Sequence, residues 1–306
     1  MALYAARRVL AGIPILLLAV TAVFFAFQVI PGDPALLFVG PDTSQESVEA
    51  VRRELGLDRP VHVQYLDYLR RLSRGNLGLS ITTRLPVTEE LGPRFINTVK
   101  LALWSILLAT VIGVLLGTVA AVKQGSVVDH LASVVALMGI SIPVFWLGLL
   151  MMYLFSVQLR LLPSAGNDTW RHYFMPALSL ATFSLAFIAR MTRSSLLEVI
   201  RQDFVRTARA KGVPELFVVA RHALRNALLP VVIIVGLRFG YMLGGAVVTE
   251  EVFAWPGMGR LLVTAVGQRD VPLIQGALLV FATSFIVVNI AVDLLYGYLD
   301  PQIRYQ

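Results

Sequence analysis

Apolar residues fall along this chain in long, nearly unbroken runs, separated by polar stretches rich in arginine. A helix that crosses a bilayer needs about 20 mainly apolar residues, because the hydrocarbon core is about 30 Å thick and each residue rises about 1.5 Å. The runs at 9–30, 98–122, 131–157, 174–191, 228–248 and 273–299 meet that length. They predict an all-α, polytopic membrane protein with six transmembrane helices. The first run follows Arg7 and Arg8, as a secretory signal would, but a signal's apolar region is only about 7–15 residues and ends in small side chains. This run is longer and ends in Pro31-Gly32-Asp33-Pro34, so it is expected to stay as a span. Pro143, Pro176 and Pro230 sit inside or at the mouth of spans, which is tolerated where neighbouring helices re-satisfy the backbone. Kinked packing is the expected consequence at Pro143 and Pro176.

Two polar segments carry a pattern of their own. In the first, 31–97, Val48, Val51, Leu55, Val61, Tyr65, Tyr68, Leu69 and Leu72 recur at helical spacing between Gly-Pro, Asp-Arg-Pro and Arg-Gly-Asn turns. It reads as a helical cap, either a packing lid or a docking surface. In the second, 192–226, apolar positions such as Leu196, Leu197, Ile200, Phe204, Ala208, Val213 and Phe217 alternate with charge, and Gly212-Val213-Pro214 divides the stretch into two short helices. The expected organisation is a first span within 1–30, an extracytoplasmic cap at 31–97, and a five-helix core at 98–306 that holds the 192–226 segment.

Composition agrees with this pattern. Hydrophobic residues make up 57% and charged residues 15%, against about 45–50% and about 25% in soluble domains. The net charge of +7 does not point to nucleic acid, because the basic residues flank the apolar runs. It sets topology through the excess of Lys and Arg in cytoplasmic loops. Arg7, Arg8, Lys123 and the cluster from Arg190 to Arg225 lie on one side, whereas the opposite short loops carry only Arg160, Arg171, Arg260 and Arg269. The 31–97 segment exceeds the roughly 60 residues over which the rule holds. Both termini are therefore expected in the cytoplasm. There is no cysteine and no Gly-x-x-x-x-Gly-Lys-Ser/Thr phosphate loop, so no nucleotide site of that kind is expected in this chain. There is no His-Glu-x-x-His pair, and His62, His130, His172 and His222 form no cluster by spacing. No catalytic residue, cofactor or metal site is expected in this chain.

The stretch Arg206-Thr207-Ala208-Arg209-Ala210-Lys211-Gly212-Val213-Pro214, with small residues and a glycine turn, suits close approach to a partner or a helix lying on anionic lipid. Continued by His-Ala-Leu-Arg-Asn-Ala-Leu-Leu-Pro up to Pro230, it resembles the coupling motif of binding-protein-dependent ABC importer permeases. Arg206 and Thr207 stand where the general motif has Glu and Ala, and Gly212 lies farther from Pro230. Both departures resemble the peptide and nickel branch. Ile30-Pro31-Gly32-Asp33-Pro34, Glu54 to Asp58, Arg190 to Ser195, Phe253-Ala254-Trp255-Pro256-Gly257-Met258-Gly259-Arg260, and Asn289 to Pro301 are similar to that branch in the same order. The short loop holding Ser164 to Tyr173 is most similar to glutathione-type permeases.

The resemblance implies a type I importer permease fold in the bacterial inner membrane. It also implies a homologous second permease, two ABC ATPases and an extracytoplasmic substrate-binding protein, with dipeptides or glutathione-like peptides as cargo. Nickel or another small solute is the alternative cargo. Asp203, Arg206, Ala208, Gly212 and Glu215 are the implied ATPase-coupling residues. An ion-gradient transporter would carry carboxylates inside its spans, yet only Asp293 lies clearly within one.

Arg238 falls near the middle of the fifth run, where an arginine costs about 2.5–3.5 kcal/mol to insert. Either it lines the translocation path with Tyr241 one turn on, or it pairs with an acid such as Asp293 or one on the partner permease. Gly236, Gly240 and Gly244 share a face suited to close helix packing or to a narrow pore. Asn289 and Asp293 share a face expected to bond across helices. Glu250 and Glu251 are either solvated charges or a docking surface for the binding protein.

Overall fold

The structure, a computed structural model, describes residues 2–29, 35, 44–54 and 56–299. The expected turns at Pro31 to Pro34 and Gly40-Pro41, and the Asp300-Pro301 end, lie outside the described residues. Within them the chain is helical. It begins with α1 (Ala2–Val29), followed by the short α2 (Gln45–Glu54) and α3 (Val61–Leu72) of the cap. Next come α4 (Val87–Val122), α5 (Val127–Ser141), α6 (Val144–Met151, extended by a π-helical turn through Gln158) and α7 (Trp170–Ile200). The second polar segment forms α8 (Asp203–Ala210) and α9 (Glu215–Phe217), and a π turn at Val218–Ala223 leads into α10 (Leu224–Gly245). The chain closes with α11 (Val247–Val252), α12 (Met258–Gln268) and α13 (Val271–Leu299).

Five helices are long and apolar enough to cross a membrane, and a sixth crossing exists if α5 and α6 count as one broken span. The third expected span is thus not a kinked rod. It bends by 103° at a break after Ser141. Ile142 is extended (φ −85°, ψ 123°) ahead of Pro143, as the proline ring demands of the residue before it. The second span differs at its start. Its helix begins at Val87 and runs 36 residues, about 54 Å at 1.5 Å each, so 87–97 extends the span out of the bilayer rather than completing the cap.

α7 is the innermost span. Its most apolar stretch is 61% buried, against 11–39% for the other unbroken spans. Leu180, Leu185 and Ile188 meet Leu101 and Ile106 of α4 and Val231, Met242 and Leu243 of α10. Glycine makes the α4–α7 seam close: a Cβ at Gly117 would collide with the Ala189 carbonyl, and one at Gly113 would lie 3.0 Å from the Leu185 carbonyl. On α10, Gly236 and Gly240 do the same against Val292 and Val288 of α13, whereas Gly244 and Gly245 border open space. The glycine face is therefore packing at one end and empty at the other.

Polar groups tie the elements together at their ends. Arg193 of α7 holds Asp129 of α5 through two 2.7 Å bonds. Asp293 of α13 pairs with Arg8 of α1 at 3.0 Å, while Asn289 donates back to Phe285 of its own helix. In the cap, Tyr65 and Tyr68 of α3 pack on Phe24 of α1, and the Thr21 and Tyr65 hydroxyls lie 2.6 Å apart. The loop after α3 is pinned by Asp270, which is fully buried ahead of α13 and accepts from Ser80 Oγ (2.5 Å) and the Thr82 amide (3.1 Å).

Candidate functional site

α8 is a short amphipathic helix that projects from one end of the bundle. Val205 and Ala208, three residues apart, bury themselves against Leu196 and Val199 of α7 and against Val218, Val219 and Ala223. Ala208 is only 8% exposed, which corrects the expectation that its small side chain serves a partner's approach. Its size lets α8 lie close to this chain's own helices. The helix ends in a Schellman motif: the Gly212 amide donates to Arg209 O (2.9 Å) and the Val213 amide to Ala208 O (3.3 Å). Gly212 takes φ +75°, the left-handed conformation that an L side chain adopts only with strain.

Across that turn Arg209 grips Glu215 with two bonds of 3.0 and 2.7 Å. Glu215, expected as a contact for a partner, is therefore engaged in bracing the hairpin. Arg206 and Asp203 are solvent-facing and lie 3.6 Å apart. The hairpin also exposes apolar side chains: Phe204 (41% exposed) and Phe217 (58%), which the sequence grouped with Ala208 among the apolar positions, and Leu216 (77%), which it did not single out. Leu216, two residues from the buried Val218, was legible as facing away, whereas Phe204 lies four residues from Ala208 and helical spacing alone would place it on the buried side. The outer face of the hairpin is thus basic and apolar together, on a backbone braced from within.

In the middle of the bundle, Arg238 of α10 lies against the aromatic rings of α7. Its guanidinium carbon is 3.7 Å from the Phe187 ring centre, 5.3 Å from Phe183 and 5.8 Å from Tyr241. Asp293, one acid considered for it, is held by Arg8 instead. Tyr241 is 61% exposed and meets Phe285 edge-on at 5.5 Å. The i, i+4 spacing of Phe183 and Phe187 was legible in the sequence, but not that it would meet Arg238.

At the end opposite α8, Glu250 is fully buried. This overturns both readings given to it, as a solvated charge and as a docking surface. Oε1 accepts from Thr98 Oγ1 of α4 (2.6 Å), and Oε2 accepts from the amides of Gly259 (2.7 Å) and Arg260 (3.2 Å) in the first turn of α12. Thr98 Oγ1 in turn accepts from the Met258 amide at 2.9 Å. A negative carboxylate at a helix N-terminus satisfies unpaired donors and meets the positive end of the dipole. Burial pushes the Glu250 carboxyl up from its ordinary pKa, and the bonds from Thr98, Arg260 and Gly259 draw it partly back. A side chain at Gly257 would collide with it, and one at Gly259 would collide with Val247. Trp255, also fully buried, donates to Asn97 O at 3.2 Å, and Asn97 donates to Pro256 O at 2.9 Å. Glu251 remains exposed.

Comparison with known proteins places this architecture. Residues 113–305 match the family described as binding-protein-dependent transport system inner membrane component, and residues 1–102 match that described as the N-terminal part of such membrane components. Over 303 residues the chain is 46% identical to the glutathione transport system permease protein GsiC of Salmonella typhimurium (strain LT2), covering 99% of each chain. It is 45% identical over the same length, with the same coverage, to GsiC of Escherichia coli (strain K12). Among solved structures, the inward-facing MetNI methionine ABC transporter is similar in fold, with TM-score 0.58 and 21% identity over 69% of this chain and 96% of that one. A bundle of apolar helices with a braced hairpin at one end, matched over its full length by permeases, belongs to the family of inner-membrane components of binding-protein-dependent transport systems.

Proposed function

We propose that this chain is one permease subunit of an ATP-driven importer for small, glutathione-like peptides. It would form the path with a homologous second permease, coupled to two ATPases that hold the ATP and magnesium and fed by an extracytoplasmic binding protein. The observation that carries this reading is the 46% identity to a glutathione permease along essentially the whole of both chains. Excess Lys and Arg around α8 supports a cytoplasmic position for that end and for both termini.

The hairpin geometry supports a division of labour within the coupling site. Val205, Ala208, Gly212 and the Arg209–Glu215 pair hold its shape, and Phe204, Arg206, Leu216 and Phe217 offer the surface an ATPase would meet. Exposed apolar side chains beside a cation suit a partner surface with an apolar pocket and an acidic rim. An ATPase that changes shape with nucleotide can drive transport only by binding two states of the permease unequally. A hairpin packed on α7 and continuous with α10 would carry such a difference to the spans.

The test is ATPase activity of the reconstituted complex in nanodiscs, with binding protein and reduced glutathione, dipeptides or nickel added in turn. Stimulation by a peptide and its loss in Gly212→Asp are expected. A chain that neither recruits an ATPase nor alters its turnover refutes the reading, and stimulation by nickel alone transfers it to the other cargo.

A further inference from the structure

α7 is the most enclosed span, yet one stripe of it is bare. Phe183, Arg190 and Ser194 are exposed and Phe187 is half-buried, while Ser184, Leu185, Ala186, Ile188 and Ala189 between them are buried. A central helix with a single bare stripe borders a cleft or another subunit rather than lipid, and an arginine at that depth has the same requirement. The guanidinium of Arg238 lies over this stripe, 3.7 Å from the Phe187 ring centre. None of the ion pairs or hydrogen bonds among the described residues engages it. Stacking occupies the flat face of a guanidinium and leaves its edge N–H donors free, and that edge matches a carboxylate in two parallel bonds. One turn beyond Tyr241, Gly244 and Gly245 leave the wall without side chains, and nothing stands within 4 Å of where a Cβ would point.

We propose that Arg238, steadied on Phe187, is the carboxylate-recognising residue of the transport path. It takes the C-terminal carboxylate of a small peptide on its guanidinium edge, with Phe183 and Tyr241 as flanking walls. The inference rests on the peptide-permease reading.

The experiment uses the full complex in proteoliposomes and compares uptake of reduced glutathione with uptake of its glycyl amide, each normalised to the ATP hydrolysed with that peptide. Wild type should favour the free carboxylate. Arg238→Gln should lower that preference by about tenfold, the factor equivalent to about 1.4 kcal/mol, and Arg238→Lys, which keeps the charge without the fork, should fall between. A preference unchanged in both variants overturns the proposal. So does loss of the second permease on co-purification of Arg238→Gln, since the guanidinium would then belong to a subunit contact. Phe187→Leu supplies a variant that retains the cation and removes its support. It should weaken the preference in the same direction, and an equal loss for both peptides overturns the role. A wild-type complex that hydrolyses ATP but imports neither peptide refutes the peptide reading itself.

Discussion

Replacing Glu250 with alanine should cost more than any exposed carboxylate in this chain. The substitution removes the acceptor of three buried donors: the Thr98 hydroxyl and the amides of Gly259 and Arg260. A buried donor left unpaired costs about 1–3 kcal/mol. The Thr98 hydroxyl can rotate to another acceptor, whereas the two amides are fixed by the first turn of α12, so the amides set a cost of about 2–6 kcal/mol. Glu250→Gln keeps the shape and an acceptor for the amides, and its cost should stay near 1 kcal/mol, about one hydrogen bond. Trp255 is fully buried beside this carboxylate, so its fluorescence, with Trp104, Trp146 and Trp170 replaced by Phe, reports opening of this end under denaturant. If Glu250→Ala loses no more than the exposed Glu251→Ala, which should stay within about 0.5 kcal/mol, the reasoning from buried donors is refuted.

The same carboxylate has a pH signature. Its folded-state pKa is raised, so its contribution is full below the ordinary carboxylate pKa and is lost as pH rises through the raised value. The Trp255 transition should strengthen on mild acidification, and Glu250→Gln should flatten that trend. Gly117→Ala should destabilise the detergent-solubilised chain by about 1–3 kcal/mol through overpacking, since its Cβ would meet the Ala189 carbonyl. Gly244→Ala, facing open space, should be neutral or gain up to about 1 kcal/mol of helix propensity. A thermal-unfolding comparison that ranks the two alike would contradict the seam. Leu216→Asp, at a side chain 77% exposed, should spare the melting of the isolated chain and weaken co-purification of the ATPase. Unaltered recovery of the complex would remove Leu216 from the docking face.

How much of this was legible before the structure depends on the kind of interaction. The spans were, because twenty apolar residues in a row have few other uses, and so was the division at Gly212, because only a left-handed residue closes that helix end. What failed involved contacts distant in sequence. Glu250 sits in a polar-looking stretch, and nothing local reveals that Thr98, about 150 positions earlier, closes over it. Ala208 looked like a residue made small for a partner, but smallness is equally what a helix needs to lie on its own neighbours. The break at Pro143 was underestimated because a run of apolar residues reads the same whether the helix bends slightly or turns a corner.

That corner divides the labour of the bundle. No helical hydrogen-bond ladder passes through Ile142 and Pro143, so α5 and α6 are two stiff rods on an elbow. One rod is clamped to α7 near the α8 end through Asp129 and Arg193. The other seats Gly148 and Met151 on Phe253 at the opposite end. Both rods lie along α7, Gly139 against Thr182 and Met151 against Ser179, so the corner lets one interrupted span brace the central helix at two separate levels.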